Sequence, residues 1–304
     1  MKTPLHIRII VILLAVLLPG ASLAGWIYVE QSLENNFQTF IQAQSKLDIE
    51  YSEMKVNPLK RNITLFQPRI LYNSNIEIKA EEMVFQDLVI ANNFPIKMTL
   101  SASRMDIKKL FPSLELTREI ELSGTRLSGI NGELRYEYLP DEYMLDMSML
   151  KLINRAMGLF CSELVLSNLN IGYISSLENP FLLAAALMGI RIDYFQAGYE
   201  DYGMVKKLAE FRESKGINED NPAIGQGDPG SWKTILDDYF SAKDNNPVDN
   251  FLRRQDPLTI EINPQRPVPL SSILASHSPE DTMKLLNLRF SNQRPDFCLT
   301  TDNR

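Results

Sequence analysis

The strongest constraint on the fold is a hydrophobic period of two. Between Leu47 and Met149 apolar side chains recur at alternate positions, with charged or hydroxyl residues between them. In an extended chain this period sends alternate side chains to opposite faces, so each run is a strand with one face for the core and one for water. Leu47, Ile49 and Tyr51 alternate with Asp48 and Glu50, and after a slip Met54 and Val56 lead to Asn57-Pro58. Ile63 to Tyr72 reads as a second strand, ending at the turn residues Asn73-Ser74-Asn75. Ile76, Ile78 and Ala80 begin a third run, whose phase moves to Met83 and Phe85 and then to Leu88 and Ile90. A shift of one residue turns every later side chain over, so these slips predict bulges or tight reversals. Met98, Leu100 and Ala102 form another run, and Leu114, Leu116, Ile120 and Leu122 face away from Glu115, Thr117, Glu119 and Glu121. Leu134, Tyr136 and Tyr138 reach Pro140-Asp141-Glu142, and Tyr143, Leu145, Met147 and Met149 return, which predicts a hairpin. Such strands describe an antiparallel sheet covered on one side, by helices or by a hydrophobic ligand.

The period then lengthens. Met149, Leu150, Leu152, Ile153, Ala156, Met157 and Phe160 fall on a helical stripe, and Leu164 to Tyr173 is extended. Asn179-Pro180 is a helix start, since asparagine caps and proline is preorganised for the first turn. Phe181 to Met188 is apolar all round, which predicts a helix buried over the sheet, too short to span a bilayer. Ile190 to Tyr199 is a strand; Asp201 precedes an amphipathic helix from Met204 towards Gly216. Asn218 to Gly230 reads as a loop, and its Gly225-Gln226-Gly227 lacks the further glycine and lysine of a phosphate-binding loop. Helices are expected after Ser231, after Asn246-Pro247 and after Ser278-Pro279-Glu280-Asp281, which has the form of a capping box. Leu258, Ile260 and Ile262 form a closing strand, Pro264, Pro267 and Pro269 keep the chain extended, and the polar tail after Asn292 is expected to fray.

Ahead of the alternating region lies an apolar run, Ile9 to Val29, preceded by Lys2 and Arg8. Its length suits a bilayer, Trp26 and Tyr28 suit the interface, and the basic flank keeps the N-terminus cytoplasmic. Pro19-Gly20 and the small residues Ser22 and Ala24 also fit a signal peptide cut after Ala24. Anchor and cleaved signal both place the body outside the cytoplasm. A polar helix from Val29 to about Gln44 then leads to the strands. Cys161 and Cys298 are the two cysteines; they either pair in an oxidising compartment or stay as buried thiols.

Charge and chemistry narrow the function further. The formal charge is −7, or −9 once Lys2 and Arg8 are set aside (−7 less two positives), so the body as a whole is a poor binder of nucleic acid and of anionic lipid, and no nucleic-acid partner is expected. Lys55, Lys60 and Arg61 read as an ordinary solvated turn. A serine triad needs a base, and outside the leading segment His277 is the one histidine; its setting, Ala-Ser-His-Ser-Pro, is that of a solvated loop. Asp201 fits a helix cap better than a catalytic acid. There is no paired-cysteine or paired-histidine metal spacing. No catalytic, cofactor-binding or metal residue is therefore assigned, no cofactor is expected, and the chain is read as non-enzymatic.

The leading segment, the short helix and the runs LDIEYSEMKVNP and IEIKAEEMVFQDL resemble the entry into AsmA-like proteins and related uncharacterised envelope proteins. The stretches YEDYGMVKKLAEF and LTIEINPQRPVPL are similar to a C-terminal pattern of uncharacterised proteobacterial exported proteins. The resemblance implies a periplasmic protein held in the inner membrane by residues 9–29, with a β-rich groove and a lipid or envelope-protein partner. This chain is shorter than the large AsmA-like members. The expectation is an α+β fold in which a curved antiparallel sheet is packed by helices from the C-terminal half. Its parts are the membrane or signal segment 1–29, a mainly antiparallel β region 30–175 and a mainly helical region 176–304 with closing strands, the last two forming either two domains or one. Two functions fit: an envelope protein that binds lipid-like ligands or supports assembly, and a protein-interaction scaffold of the periplasm.

Overall fold

The computed structural model describes residues 28–42, 47–72, 76–91, 94–108, 128–177, 179–214, 247–276 and 278–299. The runs around Leu116, Gly225 and Trp232, and His277, lie outside these residues, as does the chain up to residue 27.

The fold is α+β, and every strand pairing in it is antiparallel. Its main sheet runs in the order β2(Glu53–Asn57), β3(Asn62–Phe66), β6(Glu82–Ala91), β7(Phe94–Lys108), β8(Ile130–Leu139), β9(Met144–Asn154), β10(Gly158–Ser167), β11(Arg191–Asp201), β12(Leu258–Ile262) and β14(Leu288–Ser291). The two-residue β13(Val268–Pro269) pairs with the start of β11. A smaller sheet joins β1(Leu47–Glu50), β4(Arg69–Tyr72) and β5(Ile76–Lys79) to the end of β7. One strand serves both sheets because β7 bends. Arg104 takes φ 48° between the register positions Ala102 and Met105, and from there Asp106 to Lys108 turn away to pair with β5. The expected strand Ile63 to Tyr72 is likewise two strands: Gln67 at φ 50° and the following Pro68 break it.

Between the two sheets lies the core. Helix α1, residues 28–42, places Phe37 in one buried cluster with Met83, Phe85, Met98 and Ala102; Phe37 is 0% exposed and its ring centroid is 4.9 Å from that of Phe85. Ile49, Ile70 and Ile78 of the smaller sheet close the other side. The cover over this part of the sheet is thus α1 and the smaller sheet, where the sequence pointed to helices of the C-terminal half. Leu33, Phe37, Phe40 and Ile41 recur at helical spacing in the sequence, and the fold turns this stripe onto the core, where a polar connecting helix was expected.

The second half carries more strand than its pattern promised. The stripe from Met149 to Phe160 belongs to β9 and β10, joined at a turn through Arg155. These strands are apolar on both faces in part, and a bulge in β9 between Asp146 and Met149 resets the alternation, so the residues imitate a helical spacing. Beyond β10 the chain forms α2(Ile171–Ser176), where an extended run was expected, and α3(Pro180–Met188); α4(Met204–Ser214) follows β11. α5(Pro247–Arg254) sets Phe251 against Tyr199, and α6(Leu270–Leu274) and α7(Pro279–Leu286) precede β14. α3 is a helix as expected, but not a buried one: no residue in it is buried, and Phe181 is 85% exposed. The hydrogen bonding from β10 to β11 carries one sheet across residues 175 and 176.

Caps follow the local chemistry. The Asn179 side chain accepts from Phe181 N at 2.9 Å, and Ser278 Oγ accepts from Asp281 N at 3.1 Å. Asp201 accepts from the amides of Gly203, Met204 and Val205 at 2.9, 3.0 and 3.2 Å, so it caps α4.

Candidate functional site

The main sheet has one face on the core and one that is largely polar. Pairing fixes this polar face as Thr99 and Ser101 beside Arg135 and Glu133, Lys97 beside Glu137, and Glu137 beside Asp146. Together with Gln86, Asp87 and Ser148 they line a depression of about 900 Å³. Lys97 binds Glu137 at 3.0 Å and Arg135 binds Glu133 at 3.3 Å. Both pairs are open to solvent, so each contributes little to stability and stays available to a partner. Tyr136 points to the other side, where its hydroxyl donates to Pro95 O at 2.7 Å; burial pushes its pKa up to about 12.

Further along the same face the charge becomes acidic. Burial, and then the Asp146 carboxylate, push the Glu163 pKa up; burial followed by Glu163 and Glu261 does the same to Tyr194. These groups gather because Glu163, Gln196 and Glu261 lie in one row across β10, β11 and β12.

A strap runs beside that row, over the neighbouring row Lys151, Cys161, Gly198 and Thr259. Residues 292–299 were expected to fray, but they lie over β9 to β12 and end in a disulfide, Cys161–Cys298, with Cα atoms 5.9 Å apart. Thr259 Oγ1 donates to Gln293 O at 2.6 Å, Arg294 pairs with Glu200, and the buried Lys151 donates to Cys298 O at 3.2 Å. The strap can approach because position 198 is glycine: a Cβ there would sit 2.7 Å from the Pro295 ring. The choice between paired and free cysteines is therefore settled for the disulfide. Spacing alone could not decide it, because the partners are 137 residues apart and only the β10 register brings them together.

A smaller cleft of about 360 Å³ lies where α1 meets β6 and β7. Leu33, Leu88 and Val89 form its apolar wall, Tyr28 and Val29 its entrance, and Arg61, Lys97 and Asp87 its charged rim. The turn that carries Arg61 was read as plainly solvated; the fold makes it one border of this cleft.

As for chemistry, Asp201 is occupied by α4 and by the Tyr199 hydroxyl, 3.1 Å away, which also donates to Met157 O at 2.6 Å. Among the described residues no group of three His, Cys, Asp or Glu side chains could hold a metal ion. No helix among them is long and apolar enough to cross a membrane. Comparison with known sequences adds one match and one blank. No curated protein matches the chain. A family model described only as "Uncharacterized protein" matches residues 146–293, which run from β9 to the start of the strap.

Proposed function

We propose that the chain is a non-enzymatic envelope protein, tethered to the inner membrane by residues 9–29, whose polar sheet face receives a protein partner in the periplasm. The observation that carries the binding role is the depression over Thr99, Ser101, Glu133 and Arg135, a wide polar surface on a sheet whose other face holds the core. A concave polar surface with both signs of charge suits a partner that offers hydrogen bonds and complementary charge. The compartment rests on the disulfide, since such bonds persist on the oxidising side of the membrane. The apolar run Ile9 to Val29 and the AsmA-like resemblance point the same way.

A photoreactive residue at Ser101 in the native cell tests the reading. A discrete protein adduct is expected there, and none from the same residue at Lys206 on α4. Equal adducts at both sites, or none at either, count against a partner on this face.

A lipid-like ligand remains the second reading, favoured by the cleft beside Tyr28. Its apolar wall and its two cationic side chains fit an acyl chain with an anionic head. Leu88→Asp then removes lipid that co-purifies with the protein, measured by mass spectrometry; unchanged lipid content rejects this reading.

A further inference from the structure

α3 presents an unusual surface. Its sequence, PFLLAAALM, is apolar on every side, and Phe181 and Leu182 are 85% and 51% exposed. A helix that docks on a protein shows one apolar stripe and a polar back. α3 has no polar back, and the described surface leaves it open on several sides at once. Its neighbours continue the pattern: α2 and α6 pack beside it, and neither contains a charged residue. Between Asn168 and Ile190 the only charged residue is Glu178.

Register locates this patch. A single row of paired residues crosses the sheet from Val89 through Lys97, Glu137, Asp146 and Val165 to Tyr194. Beyond the Tyr194 end of the row lie α2 and α3; at the Val89 end, Tyr28 enters α1 beside Leu88. The apolar run Ile9 to Val29 leads into that point. The two sites are thus at one end of the sheet, about 20 Å apart across four inter-strand gaps between β6 and β10. Among the described residues, most of the exposed large apolar side chains lie at this end too, with Leu59 (80%) and Tyr143 on hairpin turns and Leu274 on α6. Lys60 and Arg61 stand next to Leu59.

We infer that this end of the sheet rests on the lipid bilayer, with α3 inserted at the boundary between headgroups and acyl chains. The inference rests on the tethered reading and adds a second contact to it. A bilayer is a continuous apolar medium that can meet an all-apolar helix from several sides, and a helix of nine residues is too short to span it. Tyr143 and Tyr173 then sit at headgroup level, and Lys60 and Arg61 face anionic phosphates. Two contacts at one end would hold the sheet in a fixed attitude, with its polar face free for a partner.

The test uses the full chain in vesicles of phosphatidylethanolamine and phosphatidylglycerol that contain a phospholipid with a photoreactive tail. After reduction and trypsin digestion, peptide 9–46 reports the tether and peptide 156–191 reports α3. Label is expected on both. The double variant Phe181→Glu, Leu182→Glu should lower the label on its 156–191 peptide at least about fivefold, with label on 9–46 and the thermal midpoint unchanged, since both side chains are exposed. Label confined to 9–46 overturns the contact alone, and is also the result for a helix reserved for a protein. Label on 156–191 that the variant does not reduce overturns it as well. Label on 156–191 without 9–46 keeps the contact and sinks the tether, and label on neither sinks both.

Discussion

Gly158 opens β10 at φ 143°, and a Cβ there would collide with the Glu200 carbonyl across the β10–β11 pair. The position combines a backbone region closed to other residues with a close approach of two chains. Gly158→Ala should therefore destabilise the protein by about 2 kcal/mol or more, read from denaturant unfolding. Glu163 gives a test of opposite sign. Its raised pKa means that the folded chain holds the proton more tightly than the unfolded one. The contribution of Glu163 to stability is then fully present at pH below the ordinary carboxylate range and is lost as pH rises through the window up to the raised value. Glu163→Gln should raise the thermal midpoint at pH 7, leave it unaltered near pH 4, and flatten the profile between. The caps Asn179, Asp201 and Ser278 were legible in the sequence because a cap depends on residues two to four places away. Gly158 and Glu163 were not, since their neighbours come from other strands.

α1 and α3 both carry large apolar side chains, and they meet opposite fates. Phe37 is fully buried between the two sheets, whereas Phe181 is 85% exposed. Truncation leaves a cavity in the first case and none in the second. Phe37→Ala should cost about 3–5 kcal/mol, while Phe181→Ala should change stability by less than about 0.5 kcal/mol in the absence of membrane. Equal costs, measured by denaturant unfolding in detergent-free buffer, would contradict the burial of α1. The sequence ranked these helices the other way, as a polar connector and a buried cover. Composition misleads here: α1 needs only one stripe to reach the core, and uniform apolarity in α3 says nothing about which solvent it meets. Among strands the reading was better. The β8–β9 hairpin follows directly from alternation around Pro140-Asp141-Glu142, but the β9–β10 pair, with its bulge and two apolar faces, passed for a helix.

At the scale of the molecule, the sheet is one continuous surface from β2 to β14, and the strap of residues 292–299 is tied to its middle. The polar face could be read from the sequence on the strands before β9; its extent could not, because that depends on β9 and β10 being strands and on the pairing of β10 with β11 across two intervening helices. The disulfide connects points 137 residues apart. Closing a loop of that length removes enough freedom from the unfolded chain to contribute about 4–5 kcal/mol in the chain-entropy model. The folded chain should feel the loss in two parts. Lys151, Thr259 and Glu200 still hold the strap through polar contacts, but these face water once the covalent link is gone. Cys161→Ala with Cys298→Ala should therefore lower the thermal midpoint of the whole molecule and, well below that midpoint, release the strap first. Amide exchange of residues 292–299 should quicken more than that of β6 and β7, whose core against α1 does not involve the strap. Uniform quickening across the sheet would mean that the strap and the Phe37 core open as one unit.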